Sequence, residues 1–83
     1  MKIVYTQHAR LKFELLERHG FKVSEAQIRE VILNPDSVTN DSKGRFIAQK
    51  TISASHVLRV VYVQEAEQAL IITFYPGERR RYG

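Results

Sequence analysis

The chain divides where the spacing of its apolar residues changes from helical to alternating. Lys2-Ile3-Val4-Tyr5 opens as a short apolar strand. Thr6 then offers a helix N-cap, and a helical pattern runs to His19 ahead of Gly20, a natural C′ residue. At about 100° per residue, Ala9, Leu11, Phe13, Leu15 and Leu16 fall on one broad face. Arg10, Glu14, Glu17 and Arg18 lie opposite, and Arg10–Glu14 and Glu14–Arg18 have i,i+4 spacing. A second helix begins at the capping box Ser24-Glu25-Ala26-Gln27, with Val23 placed to staple onto Ile28. Its apolar stripe is Ile28, Val31 and Ile32, and Asn34-Pro35 stops it.

Beyond these helices the period is two. Residues 45–52, 56–64 and 69–75 read as strands, separated by polar breaks short enough for hairpins. The order β-α-α-β-β-β predicts an α+β domain spanning residues 1–83, an antiparallel sheet with both helices on one face. The first strand is expected at a sheet edge. With even-length hairpins, Gln49 faces Leu58 and Val60 faces Thr73. Alternation then gathers Phe46, Ala48, Lys50, Val57, Arg59, Val61, Val63, Leu70, Ile72 and Phe74 on the helix-packed face. Ile47, Gln49, Thr51, His56, Leu58, Val60, Tyr62, Ile71, Thr73 and Tyr75 fall on the other, a mixed surface suited to binding. A one-residue slip in either hairpin reverses a strand's assignment. Within this sorting Arg59 either forms a partly buried ion pair with a first-helix carboxylate or is held rigid and aimed at a phosphate. Lys50 faces the same choice or snorkels to an edge.

Charge sharpens the picture. Residues 1–42 carry six basic and six acidic side chains, whereas residues 43–83 carry seven basic against three acidic and hold the whole net charge of +4. The sequence Thr73-Phe74-Tyr75-Pro76-Gly77-Glu78-Arg79-Arg80-Arg81-Tyr82 reads as a strand, a Pro-Gly turn and a guanidinium cluster between tyrosines. Guanidinium groups fork onto phosphates and tyrosine rings stack on splayed bases, which points to RNA. The same arginines also suit a basic tail that only aids solubility.

Several chemistries are disfavoured. There is no cysteine for a disulfide or thiolate. His8, His19 and His56 are scattered, and no metal-ligand spacing, phosphate-binding glycine loop or Gly-x-Ser-x-Gly occurs. No cofactor is expected, no segment suits a membrane span or secretory signal, and a cytoplasmic location is expected. Metal-free cleavage of RNA fits what remains, because RNA supplies its own 2′-OH nucleophile. It needs an acid or base, for which His8 and His56 are candidates, and cations, for which Lys50, Arg59, Arg79 and Arg81 are candidates. His8 borders the apolar face of its helix and equally suits packing or capping. Arg80, Tyr75 and Tyr62 are candidates for holding the nucleic acid.

Short motifs in a particular order add a family expectation. They are Thr6-Gln7-His8-Ala9, His19-Gly20, Asn34-Pro35, Phe46-Ile47-Ala48-Gln49-Lys50, Leu58-Arg59-Val60-Val61-Tyr62 and Thr73-Phe74-Tyr75-Pro76. With the element order and basic C-terminus, they resemble the RelE/ParE toxin superfamily, most closely its BrnT-like branch and a related domain of unknown function. The resemblance implies a RelE-like fold and a metal-independent endoribonuclease toxin, often acting on ribosome-bound RNA and neutralised by a cognate antitoxin. Carried over residue by residue, it implicates Lys50, Arg59, Arg79, Arg81 and Tyr82, with Tyr75 beside them. The alternative is a non-catalytic module that binds nucleic acid or a protein through the same basic half. A free sheet edge leaves homodimer formation open.

Overall fold

Residues 1–82 are described by a computed structural model. The elements are β1 (Lys2–Tyr5), α1 (Gln7–Arg18), α2 (Glu25–Leu33), β2 (Ser37–Asn40), β3 (Phe46–Thr51), β4 (His56–Glu65), β5 (Gln68–Glu78) and α3 (Arg79–Tyr82). The five strands form one sheet in the order β1-β5-β4-β3-β2, with α1 and α2 packed on one face. The fold is α+β as expected, but the sheet is mixed. β1 lies parallel to β5, pairing Ile3 with Ala69, while the other three pairings are antiparallel.

The helix ends follow their local signals. Thr6 Oγ1 accepts from Ala9 N at 3.1 Å, and the reciprocal capping box between Ser24 and Gln27 forms. α1 closes on Gly20 at φ +89°, where Phe21 N–H returns to Leu16 O at 2.8 Å. The apolar face of α1 is narrower than its periodicity suggests. Ala9, Phe13 and Leu16 reach the core, while Leu11 and Leu15 are 60% and 47% exposed. Glu14 pairs with Arg18 at 2.7 Å, but Arg10 instead lies over the Tyr5 ring, 5.0 Å from its centre.

Two elements were not foreseen. β2, Ser-Val-Thr-Asn, lacks an apolar alternation and is exposed throughout. Flanking aspartates secure this edge: Asp36 Oδ2 accepts from Thr51 N, and Asp41 Oδ1 accepts from the amides of Lys43 and Arg45. β5 also runs through Pro76-Gly77 to Glu78 instead of turning there. β1 covers only Gln68–Ile71, so Pro76 lies where β5 has no outer neighbour and a missing N–H is tolerated. The chain then folds back as α3.

Register corrects the expected faces. Gln49 pairs with Arg59, not Leu58, and Val60 pairs with Phe74, not Thr73. An irregularity at Val61/Tyr62 then shifts the β4–β5 register. The core beneath the helices therefore gathers Phe46, Ala48, Leu58, Val60, Tyr62, Ala69, Ile71 and Phe74. Phe74 is fully buried and packs against Phe13 with ring centres 4.7 Å apart. Arg59 is delivered to the face away from the helices.

Candidate functional site

On that open face Arg59 sits amid a small cluster. Its pairing partners are Gln49 on β3 and Tyr75 on β5, so three neighbouring strands place three polar side chains side by side. Arg59 Nε donates to Tyr75 Oη at 3.1 Å, and Arg59 Nη1 donates to Gln49 Oε1. The C-terminal turn closes over the group. The Tyr82 ring centre lies 4.3 Å from Arg59 Cζ, the Tyr75 ring centre 5.8 Å. Gln49 Nε2 donates to the carbonyl oxygen of Tyr82 at 2.8 Å.

The electrostatics of this cluster are unusual for a half-buried arginine. Every contact of the Arg59 side chain described above is to a neutral group. Among the described residues no carboxylate lies within ion-pair distance, so the first of the two alternatives for Arg59, a pairing with a first-helix acid, is absent. The cation is oriented by an amide, a phenol and two aromatic faces, with no counter-charge from the described residues. Such a group favours an incoming anion, and hydrogen bonds from it to phosphate are roughly twice as strong as neutral ones.

The remaining candidates separate into three places. Arg79, Arg80 and Arg81 lie on α3, next to the cluster, with their side chains exposed. Arg80 is tied to Glu78 at 3.0 Å, whereas Arg79 and Arg81 have no ion-pair partner among the described residues. Lys50 points away from Arg59, onto the helix side. Its Nζ donates to Asn34 O at the end of α2 at 2.7 Å, with Asp36 Oδ1 at 4.0 Å, so it anchors a helix terminus. Tyr62 is a core residue, 9% exposed and stacked on Phe46 at 5.5 Å, and burial pushes its phenol above the usual 10.0. That placement removes it from any surface contact with nucleic acid.

Neither histidine contacts Arg59. His8 Nε2 lies 3.3 Å from Thr73 Oγ1 at the start of α1. His56 stands at the beginning of β4, where its ring meets Phe21 edge-on at 5.0 Å and Nδ1 contacts Ser55 Oγ at 2.8 Å. It lines a shallow concavity of about 410 Å³ with Ala54, Ser55, Glu78, Arg79 and Arg80, at the end of the sheet.

Sequence reasoning missed Gln49 and Gly77. Gln49 is only 7% exposed and joins Arg59 to the C-terminal turn. Gly77 has no positive φ, yet a Cβ there would overlap the Tyr82 ring. The glycine is required for space. A correct β3–β4 register would have exposed the role of Gln49; nothing local to Pro76-Gly77 announces the contact with Tyr82.

Among the described residues no group of acidic, histidine or cysteine side chains is arranged to hold a metal ion, and no helix is long and apolar enough to cross a membrane. Comparison of the chain with protein-family models, curated proteins and solved structures finds no match.

Proposed function

We propose that this domain binds RNA through the Arg59 face and acts as a metal-independent endoribonuclease of the RelE/ParE toxin type. The observation that supports this reading is the oriented Arg59 cation, without an ion-pair partner among the described residues, bracketed by Tyr75 and Tyr82 and flanked by the exposed arginines of α3. Arg59 and Arg81 receive the phosphate charge, and the Tyr75 ring beside Arg59 offers a surface for an unstacked base.

For cleavage, the 2′-oxygen of RNA forms a bond to phosphorus as the bond from phosphorus to the 5′-oxygen breaks. The 2′ proton passes to solvent. Arg59 stabilises the added charge on the phosphorane, and the Tyr75 hydroxyl, which accepts from Arg59 and retains its own proton, supplies one to the departing oxygen. A cognate antitoxin would be an acidic protein that covers this face. A second reading is favoured by the separation of His8 and His56 from Arg59: the same face binds RNA or a protein partner without cleaving it.

Expression from a tightly repressed promoter tests the choice. Growth arrest with new RNA ends, both lost in Arg59→Ala and Arg81→Ala, supports cleavage. Normal growth with intact RNA, alongside salt-sensitive RNA binding in vitro, selects the binding module. Absence of RNA binding at low salt overturns both RNA readings.

A further inference from the structure

The chain's own C-terminus fills the space over Arg59, and the manner of filling specifies what can take its place. Tyr82 contributes a flat ring 4.3 Å from Arg59 Cζ and a carbonyl oxygen that accepts from Gln49 Nε2 at 2.8 Å. Beneath the ring lies Gly77, whose missing side chain makes the room. The Gln49 amide has a fixed orientation. Arginine can only donate, so Oε1 faces Arg59 and Nε2 faces the occupant as a donor. The slot therefore offers a cationic stacking surface, one aimed donor and a bare floor. The occupant is held lightly: α3 is a four-residue turn with no buried residue.

We propose that this slot is a nucleobase subsite that accepts a base bearing a carbonyl oxygen, such as uracil, in preference to adenine. Tyr82 is its internal occupant and yields when α3 swings aside. The base stacks on Arg59 over Gly77, and its carbonyl replaces that of Tyr82 on Gln49 Nε2. Adenine stacks equally well, but its exocyclic amine is itself a donor, so at the place of the Tyr82 carbonyl it opposes Nε2 donor to donor and leaves only a ring nitrogen, set back from that place, to accept. This inference rests on the RNA-binding reading and deepens it by naming the base.

The test titrates uridine 5′-monophosphate and adenosine 5′-monophosphate into the wild type, Tyr82→Ala and the double variant Tyr82→Ala/Gly77→Val. Circular dichroism confirms that each is folded. Tyr82→Ala is expected to bind the uridine nucleotide about fivefold more tightly than the adenosine nucleotide, and more tightly than the wild type does. The double variant keeps Arg59 and Gln49 but fills the floor, and should lose that gain. Equal binding of the two nucleotides by Tyr82→Ala, weaker uridine binding than in the wild type, or full retention in the double variant overturns the slot. Single-stranded RNA binding that is lost in Arg59→Ala, with no uridine preference, rejects the slot and leaves the RNA reading standing. The converse pattern rejects the RNA reading alone.

Discussion

Replacing Arg59 with alanine measures how much neutral partners contribute to holding this cation in the fold. The substitution removes the hydrogen bonds to Gln49 and Tyr75 and the stacking under Tyr82. It also strands Gln49 Oε1 in a residue that is only 7% exposed. A hydrogen bond to a charged group contributes ~1.5–3 kcal/mol and an exposed cation–π contact ~0.5–1 kcal/mol. These terms share one side chain and are not additive, so the expected loss is about 2–3 kcal/mol. In a domain of this size, that lowers Tm by roughly 10–20 °C. Urea unfolding at low salt and again at ~1 M salt, where the Debye length is ~3 Å, provides the assay. Because the partners are neutral, the loss should be the same in both. A loss below about 0.5 kcal/mol, or one halved by salt, refutes the claim that neutral partners hold this arginine.

Three further predictions concern the frame around the site. Asp36 and Asp41 titrate below the usual 3.8, chiefly because they accept from the backbone amides of Thr51 and Arg45. A lowered folded pKa means that this stabilisation is present above the unfolded value and is lost as pH falls through the folded one. Exchange protection at the Thr51 and Arg45 amides should therefore drop in acid, and the drop should vanish in Asp36→Asn and Asp41→Asn. Ala66 turns the β4–β5 hairpin at φ +51°, so Ala66→Gly should raise stability by up to about 1 kcal/mol in urea unfolding. Lys50→Met removes the bond to Asn34 O and should cost less than about 1 kcal/mol while leaving RNA affinity unchanged, as measured by fluorescence anisotropy.

The parts legible in the sequence were those set by local chemistry. Thr6, Gly20 and the Ser24–Gln27 box marked helix ends correctly because capping involves residues only a few positions apart. The strand runs were legible because their apolar stretches are long. Facing was not, since it depends on how two distant segments pair. Alternation puts β3 on its proper face, but the one-residue difference between Gln49–Leu58 and Gln49–Arg59 inverts β4. That slip placed Arg59 with Lys50, which the structure puts on opposite faces, and made Tyr62 look like a surface ring. The irregularity at Val61/Tyr62 divided β5, so that Ile71 and Phe74 both reach the core although strict alternation separates them. The basic C-terminus was visible as composition. Its return onto Arg59 depends on the absence of a side chain at Gly77, a tertiary requirement no local pattern encodes.

In the function proposed above, Arg59 is a phosphate ligand held ready by neutral groups. Binding of a short single-stranded RNA across a salt series, with the wild type and Arg59→Ala compared side by side, tests it most directly. Each phosphate neutralised on a single strand contributes about 0.7 to the slope of log affinity against log salt. Arg59→Ala should bind more weakly and with a slope shallower by about that amount. Equal affinity and an unchanged slope in a folded variant would mean that Arg59 is no phosphate ligand and that the RNA contacts lie elsewhere.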